Sequence, residues 1–166
     1  YNLKYSCKKM DNKEKLLKYA IYYLSKYSSS KKNLEYILKK KIRRLSDEKK
    51  VRFDLYNEIN KIIKKLENSN LIDDVIFTES KIKFLLYQAK SKNYIRQYLL
   101  KKGISKEIIN EQISLHYDDS QNIEKENALK FAKKKKLLDN DKDYEKKLSK
   151  MARAGFSYEI SKEILK

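Results

Sequence analysis

The residues able to do covalent or metal chemistry are few and scattered. The chain has one histidine, His116, and one cysteine, Cys7. A nucleophile–base pair needs the two partners adjacent, and a zinc site needs three or four convergent Cys, His or carboxylate ligands. Neither constellation can be drawn. Asp73-Asp74 and Asp118-Asp119 could in principle hold a hard cation, but each pair stands where a helix starts, and acidic residues there favour the positive pole of the dipole. No glycine-rich phosphate loop occurs, since the chain has only two glycines. The sequence therefore predicts no enzyme, no catalytic, cofactor-binding or metal-binding residue, and no cofactor.

What remains is electrostatic chemistry. The formal net charge is +18, from 41 Lys and Arg against 23 Asp and Glu. Such a surface attracts polyanions before any specific contact forms: nucleic acid, an acidic protein face or anionic lipid. Lipid is the weakest of these, because no apolar run approaches the ~20 residues of a spanning helix and the lysines are dispersed. Clustering narrows the rest. Lys39-Lys40-Lys41 with Arg43 and Arg44 forms a basic group suited to carboxylate or phosphate, although a solvated helix end reads the same way. Arg96, Lys101, Lys102 and Arg153 flank a repeated phrase and are expected on equivalent places of two repeats. The run 133–136 of four lysines reads as a solvated face. Fourteen tyrosines invite base stacking. Tyr19, Tyr22, Tyr23 and Tyr27 surround one helix too evenly for a single platform, so most tyrosines are expected as half-buried edges of the core. Phe77, Phe131 and Phe156 are assigned to the core.

The elements that must carry these groups are helices. There is no proline, and strands would need turn signals that are nearly absent. The two glycines sit in near-copies of one phrase, Leu99-Leu100-Lys101-Lys102-Gly103-Ile104-Ser105-Lys106-Glu107-Ile108 and Met151-Ala152-Arg153-Ala154-Gly155-Phe156-Ser157-Tyr158-Glu159-Ile160. Each reads as a helix end, a left-handed glycine, an apolar residue packing back, and a serine capping the next helix. Ile37-Leu38-Lys39-Lys40-Lys41-Ile42 matches the first half, with Lys41 in the glycine's place.

Apolar residues at helical spacing then predict a first helix carrying Leu16, Leu17, Ala20, Ile21 and Leu24. A second, capped by the serines at 28–30, carries Leu34, Ile37, Leu38 and Ile42, and a long third runs from about Asp47 to Glu67. Helices near Val75 to Ala89, Asn93 to Lys102 and Lys106 to His116 follow, with Ser91 capping the middle one. The last three span Glu124 to Leu137, Asp143 to Ala154 and Ser157 to Lys166. The expected fold is all-α, an elongated, curved array of three tandem three-helix repeats over residues 1–72, 73–119 and 120–166. Cys7 cannot form an internal disulfide and no secretory signal pattern precedes it, which predicts a cytoplasmic setting. The chain opens on Tyr1 rather than Met, so upstream residues are expected.

These phrases resemble the RecX family of bacterial regulators of the RecA recombinase. The resemblance is carried by Ile59-x-x-Ile62-Ile63-x-x-Leu66, Leu71-Ile72-Asp73-Asp74 with Phe77, and Ile95-Arg96-Gln97-x-Leu99 leading into Lys102-Gly103-Ile104. The phrase Gly155-Phe156-Ser157-Tyr158-Glu159 with Ile164-Leu165 completes it. The order is that of the family and covers nearly the whole chain. Family members place a glycine where Lys41 stands, and here additional residues intervene before Ile59. Thr78 and Ser91 also depart from the pattern. The resemblance implies a non-enzymatic, monomeric inhibitor that lies in the groove of the RecA–DNA filament and restrains recombination and ATP hydrolysis in DNA repair and the SOS response. Single- or double-stranded DNA is a further ligand of its basic surface. The alternative is a basic helical DNA-binding protein that acts independently of RecA.

Overall fold

The computed structural model describes residues 11–117, 122–139 and 143–166; Cys7 and Asp118-Asp119 lie outside the described residues. Among the described residues the fold is all-α, with nine helices and no strand. They are α1 (Asn12–Lys26), α2 (Lys31–Leu45), α3 (Lys49–Asn68), α4 (Asp74–Tyr87), α5 (Lys92–Lys101), α6 (Lys106–His116), α7 (Asn122–Lys134), α8 (Tyr144–Arg153) and α9 (Tyr158–Ile164). They divide into two compact units, the first ending at Asp73 and the second starting at Asp74.

In the first unit α1, α2 and α3 each touch the other two. The contact follows from spacing: Leu16 and Ala20, then Leu34, Leu38 and Ile42, then Leu55, Ile59, Ile62 and Leu66 recur every three or four residues and form one buried cluster with Ile72. Full burial of each Leu or Ile is worth roughly 1.5–3 kcal/mol, so the shared stripe, not helix propensity, holds the three together. Ile21, read as part of the α1 stripe, is instead exposed. The second unit contains two clusters. Phe77, Ile82, Leu85, Ile95, Leu99, Ile104, Ile109, Ile113 and Tyr117 join α4, α5 and α6. Ala128, Ala132, Leu137, Met151, Phe156 and Leu165 join α7, α8 and α9, with Phe131 packed against them.

Helix ends follow one plan. Gly103 (φ 75°) and Gly155 (φ 89°) are left-handed. The N–H of Ile104 donates to the Leu99 carbonyl and that of Gly103 to Leu100; Phe156 and Gly155 donate to Met151 and Ala152 in the same register. This is the Schellman arrangement, which gives two orphan carbonyls their donors. The next serines cap as expected: Ser105 Oγ accepts from Ile108 N–H and Ser157 Oγ from Ile160 N–H. Three further ends make the same pair of bonds without glycine, at Asn70 (φ 54°), Ala89 (φ 56°) and Lys136 (φ 51°).

Lys41 is not such a corner. Helix α2 continues through it to Leu45, because Ile42 extends the buried stripe by another turn and nothing left-handed interrupts it. The residues that separate Lys41 from Ile59 are thus absorbed partly by a longer α2 and partly by the 20-residue α3.

The two glycines differ in surroundings. A Cβ on Gly155 would lie 2.5 Å from Ser91 Oγ and 3.2 Å from the Tyr94 nitrogen. Ser91 caps α5 through Tyr94 N–H (3.1 Å) and donates its hydroxyl to the Ala154 carbonyl at 2.7 Å. Gly103→Ala should cost about 1 kcal/mol, the left-handed penalty less the entropy that glycine loses on folding. Gly155→Ala should cost at least about 1 kcal/mol more, because it also displaces the Ser91 hydrogen bond. Gly103→Val should be worse than Gly103→Ala, since a β-branched residue resists positive φ. Urea unfolding of the variants orders the costs, and equal losses for the two alanine variants would refute the close-approach role of Gly155.

Candidate functional site

The basic group of α2 occupies its C-terminal half, where cations favour the negative pole of the helix. With Leu38 and Ile42 turned into the core, Lys39, Lys40, Arg43 and Arg44 share the exposed face, since positions i, i+1, i+4 and i+5 lie together. Lys39 pairs with Glu35 Oε1 at 2.6 Å, and this hydrogen bond, with a second from Lys32, holds the Glu35 carboxyl below its ordinary range. Lys40 Nζ lies 4.4 Å from the centre of the Tyr36 ring and Lys41 Nζ 4.7 Å from that of Tyr19. No carboxylate among the described residues pairs with Arg43 or Arg44. Arg52 fixes the turn beyond them, donating to the Ser46 carbonyl (2.6 Å) and pairing with Asp47 (2.8 Å).

The second unit places its expected cations apart. Lys101 and Arg153 do occupy the same position, two residues before each glycine, but Arg96 donates to Asn110 Oδ1 at 2.6 Å and Lys102 lies over the Tyr98 ring at 5.8 Å. Arg153 instead lines an open cleft of about 500 Å³ with Lys90, Lys135, Lys150, Tyr94 and Phe131. Sequence reasoning missed Lys90, Lys150 and Tyr94, and read Lys135 as one member of a solvated run. Nothing in the spacing signals that these residues meet.

Beside this cleft, Glu124 closes the N-terminus of α5. Its carboxylate accepts the Lys92 N–H through both oxygens, at 2.9 and 3.1 Å, while Asn127 Nδ2 donates to the Lys90 carbonyl at 3.2 Å. Burial pushes the Glu124 carboxyl above its ordinary value, against the opposing pull of the Lys92 amide. Burial also raises the Tyr117 phenol, and the Glu124 charge adds to that shift. His116 Nδ1 lies 2.8 Å from the Gln112 carbonyl, and no group of three or more His, Cys, Asp or Glu is clustered among the described residues. No described helix is long and apolar enough to cross a membrane.

The tyrosine expectation needs correction. Tyr19 and Tyr23 are half-buried, but Tyr22, Tyr27, Tyr36, Tyr87 and Tyr158 are more than half exposed. Their ring edges fall outside the apolar stripes that the helices bury. Phe77 and Phe156 are buried and Phe131 is partly so; the Phe131 and Phe156 rings meet at a tilt of 51°, with centres 5.5 Å apart.

This all-α arrangement has known counterparts. A crystal structure of RecX from Lactobacillus salivarius matches 92% of this chain and 94% of its own, with TM-score 0.66 and 28% identity. A second, titled a crystal structure of regulatory protein RecX, matches with TM-score 0.67 and 23% identity, over 92% of this chain and 70% of its own, and bears on the fold alone. In sequence the chain is 37% identical over 136 residues to regulatory protein RecX of Clostridium botulinum strain Alaska E43. That match covers 75% of this chain and 62% of the relative, so the chain spans about three fifths of that protein's length. Regulatory protein RecX of Myxococcus xanthus is 24% identical over 155 residues, 88% of this chain and 81% of its own. No family model matches. The chain belongs to the RecX family.

The raised Glu124 carboxyl has a pH consequence. Between the ordinary carboxylate pKa and the raised one, the folded protein holds a proton that the unfolded chain has released, so this residue's contribution to stability falls as pH rises through that interval. Unfolding free energies measured from about pH 4 to about pH 8 should show the wild type losing stability relative to Glu124→Gln over that interval, with a constant difference above it. A difference that does not vary with pH would show that Glu124 titrates normally.

Proposed function

We propose that the chain is a non-enzymatic, monomeric regulator that binds the RecA–DNA filament in the cytoplasm and restrains RecA recombinase and ATPase activity in DNA repair and the SOS response. The observation that carries this reading is membership of the RecX family, whose Clostridium botulinum and Myxococcus xanthus members are named regulatory proteins. The physical features are compatible. Three groups of three helices each enclose their own core, and we read them as three tandem repeats over 1–72, 73–119 and 120–166. Such repeats offer several modest contact faces, which combine through effective concentration on a polymeric partner and far less on a single protomer.

The contact residues in this reading are Lys39, Lys40, Lys41, Arg43 and Arg44 on α2, with Arg96, Lys101, Lys102 and Arg153 in the second unit. Arg43 and Arg44 are the strongest candidates. They are exposed, sit at a helix end, and present planar donor forks to carboxylate or phosphate with no carboxylate among the described residues to satisfy them. The same property favours a second reading, a basic DNA-binding protein that acts without RecA.

One experiment separates the two. Added to RecA on single-stranded DNA well below RecA stoichiometry, the protein should suppress ATP hydrolysis and strand exchange. Arg43→Glu/Arg44→Glu should lose at least about tenfold in potency, about 1.4 kcal/mol, with its helical circular dichroism intact. Unchanged potency would remove the α2 cluster from the interface. Tight binding to naked DNA at physiological salt, steeply salt-dependent and without any effect on RecA, would favour the second reading.

A further inference from the structure

The cleft between α5, α7 and α8 gathers four cations. Among the described residues, Lys90, Lys135, Lys150 and Arg153 line it and no Asp or Glu does. Two other clefts with charged walls each contain a glutamate: Glu124 beside Lys92 and Arg96, and Glu58 beside Lys13 and Lys61. In the second of these Lys13 and Lys61 both reach Glu58 at 3.1 Å, and in the first Glu124 takes the Lys92 backbone N–H while Arg96 donates to Asn110. In the four-cation cleft, among the described residues, no carboxylate pairs with Lys135, Lys150 or Lys90. Holding four like charges around one concavity raises the local potential, and a bound anion relieves it.

The walls specify more than an anion. Tyr94 is 40% exposed and Phe131 is partly buried, so aromatic surface faces the same space as the ammonium groups. Lys90 Nζ stands 4.8 Å from the centre of the Tyr94 ring. Inorganic phosphate would leave these rings unused, and an extended acidic peptide would set its backbone amides against them without partners. The volume of about 500 Å³ lies within the roughly 300–1,000 Å³ usual for sites of small organic ligands.

We propose that this cleft binds a nucleoside phosphate, with the base stacked on Tyr94 against the Phe131 wall and the phosphates held by Lys135, Lys150 and Arg153. The base takes the ring face that Lys90 covers and releases that ammonium to a phosphate oxygen. The ligand is a free nucleotide or one nucleotide of a single strand, which share this chemistry. The site goes beyond the filament reading, and its test contains no RecA, so its failure leaves that reading untouched.

The probe is ADP carrying a fluorophore on its ribose, titrated with the full chain and displaced by unlabelled ADP, pyrophosphate or oligothymidylate. ADP should displace it at least about tenfold more effectively than pyrophosphate, which has the charge without the base. Lys135→Glu/Lys150→Glu should weaken binding at least about tenfold, whereas Lys49→Glu/Lys50→Glu, the same charge change on exposed residues of α3, should not. Tyr94→Leu should weaken ADP but not pyrophosphate, and Tyr94→Phe should restore ADP. This pair decides the matter even if the double lysine variant fails to fold. Displacement by oligothymidylate that is lost in Tyr94→Leu assigns the base to a strand, and its absence assigns it to a free nucleotide. Pyrophosphate matching ADP, equal losses in the two double variants, or no binding would overturn the site.

Discussion

A helix that ends inside a packed array must find donors for its last carbonyls, and one residue in the left-handed conformation lets the residues that follow supply them. Five helix ends here meet that requirement in one way, at Asn70, Ala89, Gly103, Lys136 and Gly155. The residue after each is thrown back toward the helix just finished. Where it is apolar and close to a core it is buried, as with Ile104, Leu137 and Phe156. Where it is a lysine, as after Ala89, the same geometry sends an ammonium group to the surface beside the corner. The cleft follows from this constraint: Ala89, Lys90 and Ser91 come from one corner, Lys135 from beside a second, and Arg153, Ala154 and Phe156 from a third. The bond from Ser91 to the Ala154 carbonyl ties the first of these corners to the last, and the missing Cβ of Gly155 lets them approach.

The same constraint explains what could be read from residues alone. Glycine announces a left-handed position because it bears no steric cost there, so both glycine corners and the serine caps beyond them were legible, and α6 occupies the expected residues. Asn70, Ala89 and Lys136 adopt the same conformation at roughly 1–2 kcal/mol each, offset by the carbonyls and packing that the turn satisfies. Asparagine tolerates this conformation, so Asn70 is marked by its residue type, whereas nothing local marks Ala89 or Lys136. Lys41 shows the converse. It stands in a phrase resembling a corner, yet the apolar stripe runs on through Ile42, and continuing the helix buries more than turning would. The core was readable because burial at period 3.6 is written along each helix. The cleft was not, because its walls come from three corners whose convergence depends on packing between helices.

The electrostatics place the tyrosines in a role between core edge and base platform. With 41 cationic side chains and 23 acidic ones, carboxylates are too few to pair every cation even if none were shared. Several lysines also lie over tyrosine rings four residues away: Lys40 over Tyr36, Lys90 over Tyr94, Lys102 over Tyr98 and Lys162 over Tyr158. Such a contact is worth about 0.5–1 kcal/mol at an exposed site. An ion pair and a ring contact both localise a lysine, but they differ in what they leave behind. A carboxylate cancels the field that would draw in a polyanion. An aromatic face leaves the local positive field in place while holding the ammonium. A surface organised in this way is ordered before its partner arrives, so less side-chain freedom is lost on binding, and it keeps the potential that makes an anionic partner favourable.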